Sequence, residues 1–172
     1  ISAESGRCQL DFFGGEPLLA IDLMKEIVDY GRAECAKRGM TIAFGMTTNG
    51  TLLDGDALEF LMKEDIGIMV SIDGPKEDHD TVRKFHNGAD TFDIVADRVQ
   101  KVVDRRPDKA VKLRSTMTSN NLNMPDIASR LSDFGVDEVT ISPVWESPHS
   151  PTSIRMEHVD ELNGHLKARA DD

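Results

Sequence analysis

The sequence predicts an α/β domain built on a parallel sheet, and two observations carry that prediction. Short apolar or β-branched runs alternate with longer segments of helical period along the 172 residues, an alternation that implies parallel strands joined by helical crossovers. The strands themselves are mixed, with polar residues at alternate positions: Gln9 and Asp11, then Lys112, Arg114 and Thr116. A parallel strand covered on both faces is apolar throughout, so one face of this sheet looks into something polar. Two architectures remain, an open doubly wound sheet and part of a (β/α) barrel. A barrel wide enough to hold a ligand supplies the polar face. No internal repeat or low-complexity linker interrupts the chain, so residues 1–172 read as a single α/β domain.

The strand segments are Cys8–Phe13, Thr41–Thr47, Ile66–Ile72, Val111–Met117 and Glu138–Ser142. Between the first two, Ala20, Leu23, Met24, Ile27 and Val28 form an apolar stripe, while Asp22, Lys25, Glu26, Asp29 and Arg32 occupy the other face. Pro17 stands at the start of that helix, where its missing N–H costs nothing. Later helices carry the same pattern in Leu58, Leu61 and Met62; in Phe92, Val95, Val99, Val102 and Val103; and in Ile127, Ala128, Leu131 and Phe134. Met156, Val159, Leu162 and Leu166 mark a last helix.

Composition excludes several classes. A formal net charge of −11 disfavours a nucleic-acid or anionic-membrane surface. The basic stretch of Arg105, Arg106, Lys109 and Lys112 reads as a solvated helix end. No apolar run approaches the ~20 residues of a membrane span, and no signal-peptide pattern opens the chain. Cys8 and Cys35 match no metal spacing and no secreted disulfide framework, so they read as packed thiols in a reducing, cytoplasmic setting. The first residue is Ile1 rather than Met, which leads us to expect an upstream segment.

Candidate chemistry lies at strand C-terminal ends, where both architectures place ligands. Gly14-Gly15-Glu16-Pro17 follows one strand and precedes a helix; its glycines let backbone approach a ligand, and Glu16 with the turn carbonyls suits an ammonium. Thr47-Thr48-Asn49-Gly50 ends the next strand, where Asn-Gly is also an ordinary turn. Ser71-Ile72-Asp73-Gly74-Pro75 ends the third and is followed by His79-Asp80 and Arg83. A serine there can bond a ribose, and an arginine can clamp a carboxylate. The plain alternative for Arg83 is a surface pair with Asp80.

Taken together and in this order, Phe12-Phe13-Gly14-Gly15-Glu16-Pro17-Leu18-Leu19, Thr47-Thr48-Asn49-Gly50-Thr51-Leu52-Leu53 and Ser71-Ile72-Asp73-Gly74-Pro75 with His79-Asp80 and Arg83 resemble the radical S-adenosylmethionine (SAM) superfamily. The resemblance is to the branch of anaerobic sulfatase maturases and of peptide maturases with a SPASM-type extension, over about residues 8–145. It implies a partial (β/α)₆ barrel with its first βα unit missing here. It further implies a SAM site made of Gly14, Gly15, Glu16, Pro17, Thr48, Asn49, Ser71, Asp73, Arg83 and Ser142. Within that site Gly14 to Pro17 would meet the amino group, Ser71 the ribose, Arg83 the carboxylate and Ile141-Ser142-Pro143-Val144 the adenine. Asp11, Thr48, Lys112 and Arg114 would point into the barrel toward the substrate.

The implied reaction is 5′-deoxyadenosyl-radical hydrogen abstraction from a peptide or protein. A 4Fe–4S cluster would serve it, with an electron donor such as flavodoxin or ferredoxin. Phe13 stands where sulfatase maturases usually carry Gln, which favours a different peptide. The family's C-x3-C-x2-C cluster motif is absent from these residues, so this chain alone is expected to be inactive. A small-molecule radical SAM enzyme, a non-catalytic binding module and, remotely, a flavodoxin-like domain stay as alternatives. The missing first unit would leave the Cys8–Phe13 strand with an open edge, through which a dimer can form.

Overall fold

A computed structural model describes residues 6–106 and 110–170. Lys109 lies outside the described residues. The chain divides into two compact units, Ile1–Val70 and Ser71–Asp172.

In the first unit, strand β1 (Arg7–Phe12) leads through a 3-10 turn (Pro17–Ala20) into helix α1 (Ile21–Lys37). Strand β2 (Thr41–Thr48), helix α2 (Gly55–Lys63) and strand β3 (Gly67–Ser71) follow. β1 pairs with β2 and β2 with β3, both parallel, as the crossovers require. β1 is an edge strand. Side chains alternate between faces. Phe12, Phe44 and Met46 go to the side covered by α1 and are buried with its Met24 and Val28, and the Phe12 and Phe44 rings stack at 6.1 Å. Asp11, its register partner Gly45, and Gly67 opposite Gly45 take the other parity. A methyl carbon at Gly45 would stand 2.1 Å from Asp11 Oδ1, so this glycine makes room for the carboxylate.

The α1 stripe is narrower than its periodicity predicts. Leu23 is 55% exposed, and the buried positions, Met24 and Val28, are one helical turn apart.

In the second unit, helices α3 (Lys76–Val82) and α4 (Phe92–Arg105) precede strand β4 (Val111–Met117). Helix α5 (Met124–Ser132), strand β5 (Glu138–Pro143), a 3-10 turn (Met156–His158) and helix α6 (Val159–Ala170) complete it. β4 and β5 pair in parallel. Along β4, Val111, Leu113, Ser115 and Met117 are buried and Lys112, Arg114 and Thr116 are half-buried, so the alternation seen in the sequence separates two faces. Val95, Val99 and Val102 of α4 and Ile127 and Leu131 of α5 are buried.

Three expectations change here. α3 was not expected, because seven residues that begin with five ionisable side chains, Lys76, Glu77, Asp78, His79 and Asp80, leave no apolar stripe to read. Met156 lies in a 3-10 turn and is 83% exposed, and Leu166 is 44% exposed, so the last helix has no buried stripe among the described residues. Arg106, the residue that caps the end of α4, is buried rather than solvated.

Asp80 ties α3 to α4: its Oδ1 accepts from Thr91 N–H at 3.0 Å and Phe92 N–H at 2.9 Å, two otherwise unpaired donors at the start of α4. Asp80→Ala is expected to cost about 1–2 kcal/mol, the range for losing an N-terminal cap, measured by urea unfolding. An unchanged midpoint would refute that role.

Candidate functional site

The glycine turn after β1 is open. Gly14 has φ +141°, a backbone region that side chains rarely enter, and nothing lies within 4 Å of a methyl carbon built on Gly14 or Gly15. Backbone is therefore bare at this strand end, and Phe13 beside it is 70% exposed.

The carboxylate of Glu16 is directed inward. It accepts from Leu18 N–H (3.1 Å), from the Thr48 hydroxyl (2.8 Å) and from Asn49 N–H (2.8 Å). Thr48 Oγ1 accepts in turn from Gly50 N–H at 3.0 Å, and Asn49 Oδ1 accepts from Thr51 N–H and the Thr51 hydroxyl at 2.9 and 2.7 Å. Glu16 thus locks the turn after β1 to the turn after β2. The expectation that its side chain meets a ligand ammonium is corrected: its oxygens are already satisfied, which leaves the turn's carbonyls for that task. Thr48 is corrected as well. It is 2% exposed and faces the helix side, while Thr47 has the parity of Asp11 and Gly45.

In the second unit Ser71 ends β3 half-buried. Asp73 is 3% exposed, and its carboxylate accepts from Arg83 Nε at 2.6 Å, more weakly from Arg83 Nη2 at 3.4 Å, and from Thr116 N–H at 2.7 Å. The partner of Arg83 is therefore Asp73 and not Asp80, because the carboxylate of Asp80 is taken up at the start of α4. Asp73 is corrected from a ligand contact to the residue that holds Arg83. It grips the guanidinium by its Nε edge, and the Arg83 side chain stays 30% exposed. Arginine has five N–H donors in a planar fork, so the Nη1–Nη2 edge keeps donors for an external carboxylate.

His79 lies at the base of this loop, fully buried, with Nδ1 accepting from Asp73 N–H at 3.1 Å. Burial, and then the nearby Arg83 charge, push its pKa below the ordinary 6.5, against the pull of Asp73 and Asp80. The unfolded chain then binds this proton more readily than the folded one. The stabilisation is complete above the ordinary histidine range and is lost as pH falls below it, at up to ~1.4 kcal/mol per pH unit. Urea melts between pH 7 and pH 5 should show that slope, and His79→Asn should flatten it; equal slopes would exclude His79 as its source.

On the polar face of β4 and β5, Lys112 pairs with Glu138 at 2.5 Å, which also receives the Thr140 hydroxyl at 3.2 Å. The expected substrate-facing Lys112 thus has a resident counter-ion. Arg114 and, two rungs along, Thr116 opposite Ser142 share that face, and all three are half-buried. In the first unit Asp11 is exposed and accepts from Gln9 Nε2 through both oxygens at 3.0 Å.

Cys8 and Cys35, placed on separate elements by the sequence, meet in the first unit: the Cys35 thiol is pushed up by desolvation and by a hydrogen bond with Cys8. No group of three or more His, Cys, Asp or Glu among the described residues could hold a metal ion. Thr91 and Gly45 escaped the sequence reading. Gly45 leaves no mark in one sequence, whereas the spacing of His79 from Asp73, six residues across a Gly-Pro turn, is visible once the loop is known.

Residues 3–117 match the model of the Radical SAM superfamily. A cysteine-type anaerobic sulfatase-maturating enzyme of Clostridium perfringens is 35% identical over 96 residues, 55% of this chain and 26% of that protein. The radical SAM cyclopropyl synthase TigE of Paramaledivibacter caminithermalis is 29% identical over 92 residues, 54% of this chain and 18% of that protein. A solved structure described as native anSMEcpe with bound AdoMet and Kp18Cys peptide superposes with a TM-score of 0.78 at 24% identity, covering 94% of this chain and 49% of that one. That likeness shows the fold, the α/β architecture expected from the sequence. The chain spans about a quarter of the curated maturase and half of the solved one.

Proposed function

The chain belongs to the radical SAM superfamily, and we propose that it is the SAM- and substrate-binding portion of an enzyme that modifies a peptide or protein. The observation that carries the reading is Arg83, held along its Nε edge by buried Asp73 while its side chain stays 30% exposed. In this reading Arg83 takes the carboxylate of SAM and Ser71 its ribose. Carbonyls of Gly14, Gly15, Glu16 and Pro17 take its amino group, and Ser142 with its neighbours lies against its adenine. Thr48 and Asn49 serve through Glu16, and Asp73 serves through Arg83. Arg83, Ser71 and the carbonyls of the glycine turn would hold SAM, which would supply hydrogen-abstraction chemistry to the full-length protein. The protein's own contribution is to orient SAM and keep out quenchers.

Asp11 and Arg114 are the proposed substrate-facing charges, with Lys112 balanced by Glu138. The matched relatives include a sulfatase-maturating enzyme and a cyclopropyl synthase; Phe13 in place of the maturases' Gln supports a peptide other than a sulfatase. We assign the electron supply to a donor such as flavodoxin or ferredoxin. The edge of β1 is the surface for a dimer, tested by sedimentation. No helix among the described residues is long and apolar enough to cross a membrane.

The cluster itself does not fit the described residues, since they offer no metal-holding group. Anaerobic reconstitution of this chain alone is expected to leave it without stoichiometric iron; about four irons per chain, the content of one 4Fe–4S cluster, would overturn that. For the SAM site, calorimetric titration into the full-length, cluster-loaded protein and its Ser71→Ala variant is the test. A loss of about 0.5–1.5 kcal/mol is expected for one neutral hydrogen bond. Equal affinities would remove Ser71 from the site.

A further inference from the structure

Both nitrogens of the His79 ring are used, and they connect to the two halves of one ion pair. Nδ1 accepts from the backbone N–H of Asp73 at 3.1 Å. Nε2 stands 3.0 Å from Thr91 Oγ1. The Thr91 hydroxyl has one proton, and it is donated to the backbone carbonyl of Arg83 at 2.7 Å. Thr91 can therefore only accept from His79, which requires the hydrogen on Nε2. The ring is a neutral Nε2–H tautomer by elimination. Through it the main chain of Asp73 and, by way of Thr91, the main chain of Arg83 are fixed to a common rigid body. That body is well seated: His79 is fully buried, Thr91 is 4% exposed, and Phe92 meets the imidazole edge-on with ring centroids 5.6 Å apart.

We propose that His79 is a positioning residue for the carboxylate-binding arginine: its neutral Nε2–H imidazole sets the two backbones so that Asp73 grips Arg83 by its Nε edge and the Nη1–Nη2 edge is presented to the ligand. The inference rests on the reading of Arg83 as the partner of the SAM carboxylate. Protonation of the ring would undo the arrangement, since an Nδ1–H would face the N–H of Asp73 and a second cation would sit beside Arg83. The charged groups around the ring are Arg83, Asp73 and Asp80, with Lys76 paired to Asp80 and to Asp93.

The test uses the full-length, cluster-loaded protein with two ligands, SAM and decarboxylated SAM, which lacks the carboxylate. In His79→Gln the amide nitrogen replaces the donor at Nε2, but nothing accepts from Asp73. SAM affinity should fall on the order of tenfold, the equivalent of one well-placed hydrogen bond, while decarboxylated SAM binds as to the wild type. In His79→Asn the amide oxygen falls near the place of Nδ1, and part of the SAM affinity should return. Nitrogen-15 NMR of the wild type should show Nδ1 unprotonated and Nε2 protonated at neutral pH. If both His79 variants lose both ligands equally, His79 only supports the fold and the proposal is overturned. The same holds if His79→Gln binds SAM normally while Arg83→Ala does not, or if Nδ1 proves to carry the proton. An Arg83→Ala variant with wild-type SAM affinity would overturn the site reading itself and the proposal with it.

Discussion

Glu16→Ala is expected to lower the stability of the first unit by about 3 kcal/mol. The carboxylate accepts three hydrogen bonds, from Leu18 N–H, the Thr48 hydroxyl and Asn49 N–H. Hydrogen bonds to a charged acceptor contribute ~1.5–3 kcal/mol each when removed singly. Three that share one carboxylate are not additive, and Glu16 is half-buried, so water recovers part of the loss. In a chain of this size the loss corresponds to roughly 6–12 °C in melting temperature. Glu16→Gln discriminates the mechanism. Its amide keeps the length of the side chain but turns one acceptor into a donor facing an N–H or hydroxyl, so it should recover little. A melting temperature within about 2 °C of the wild type for Glu16→Ala, equivalent to less than 1 kcal/mol, would show that the two turns hold without the clamp.

Arg83→Ala is expected to act twice. It removes a charge-assisted contact to the SAM carboxylate, which should weaken SAM binding by about 1.5–3 kcal/mol. It also leaves Asp73, with a side chain 5% exposed, without its cation. An arginine that faced only a solvated ligand site would contribute little to stability; the ion pair with Asp73 makes Arg83 different. Breaking a fully buried pair costs ~3–5 kcal/mol. Here the arginine side is 30% exposed and Thr116 N–H still bonds the carboxylate, so about 1–3 kcal/mol is expected. Asp73→Asn combined with Arg83→Ala should restore much of the stability, because no unpaired charge remains, yet leave SAM binding weak. SAM calorimetry and urea melts on the single and double variants separate the two effects. A double variant no more stable than Arg83→Ala would refute the buried-charge explanation, and an unchanged SAM affinity in Arg83→Ala would refute the carboxylate role.

Several features were legible in the residue order itself. Strand β4 is predicted to the residue, because Val111, Leu113 and Met117 share one parity with the small Ser115, Lys112, Arg114 and Thr116 take the other, and a period of two has only one pleated reading. The parallel pairing follows from the helix between each pair of strands. The three strand-end motifs are local, and each lies where the chain turns, so the resemblance they carry needs no coordinates.

What the linear order could not decide is which polar group answers which. Glu16 lies 32 residues before Thr48, and Asp73 lies 43 before Thr116. Their bonds arise only when separate strands align and bring turns side by side. The sequence offers Asp80, three residues from Arg83, as the natural partner; helix α4 claims that carboxylate for its own unpaired N–H groups, and Asp73 takes the arginine. Thr48 shows the same limit. Whether it or Thr47 faces the helix side depends on the register with β1, and a shift of one residue reverses the answer. The sequence by itself determined the five strands, the helices that carry an apolar stripe, the parallel pairing and the residue types at the strand ends, but not α3. The tertiary structure alone decided how those side chains are paired, because a buried carboxylate or imidazole must satisfy its hydrogen bonds with whatever donors the packed backbone brings within reach.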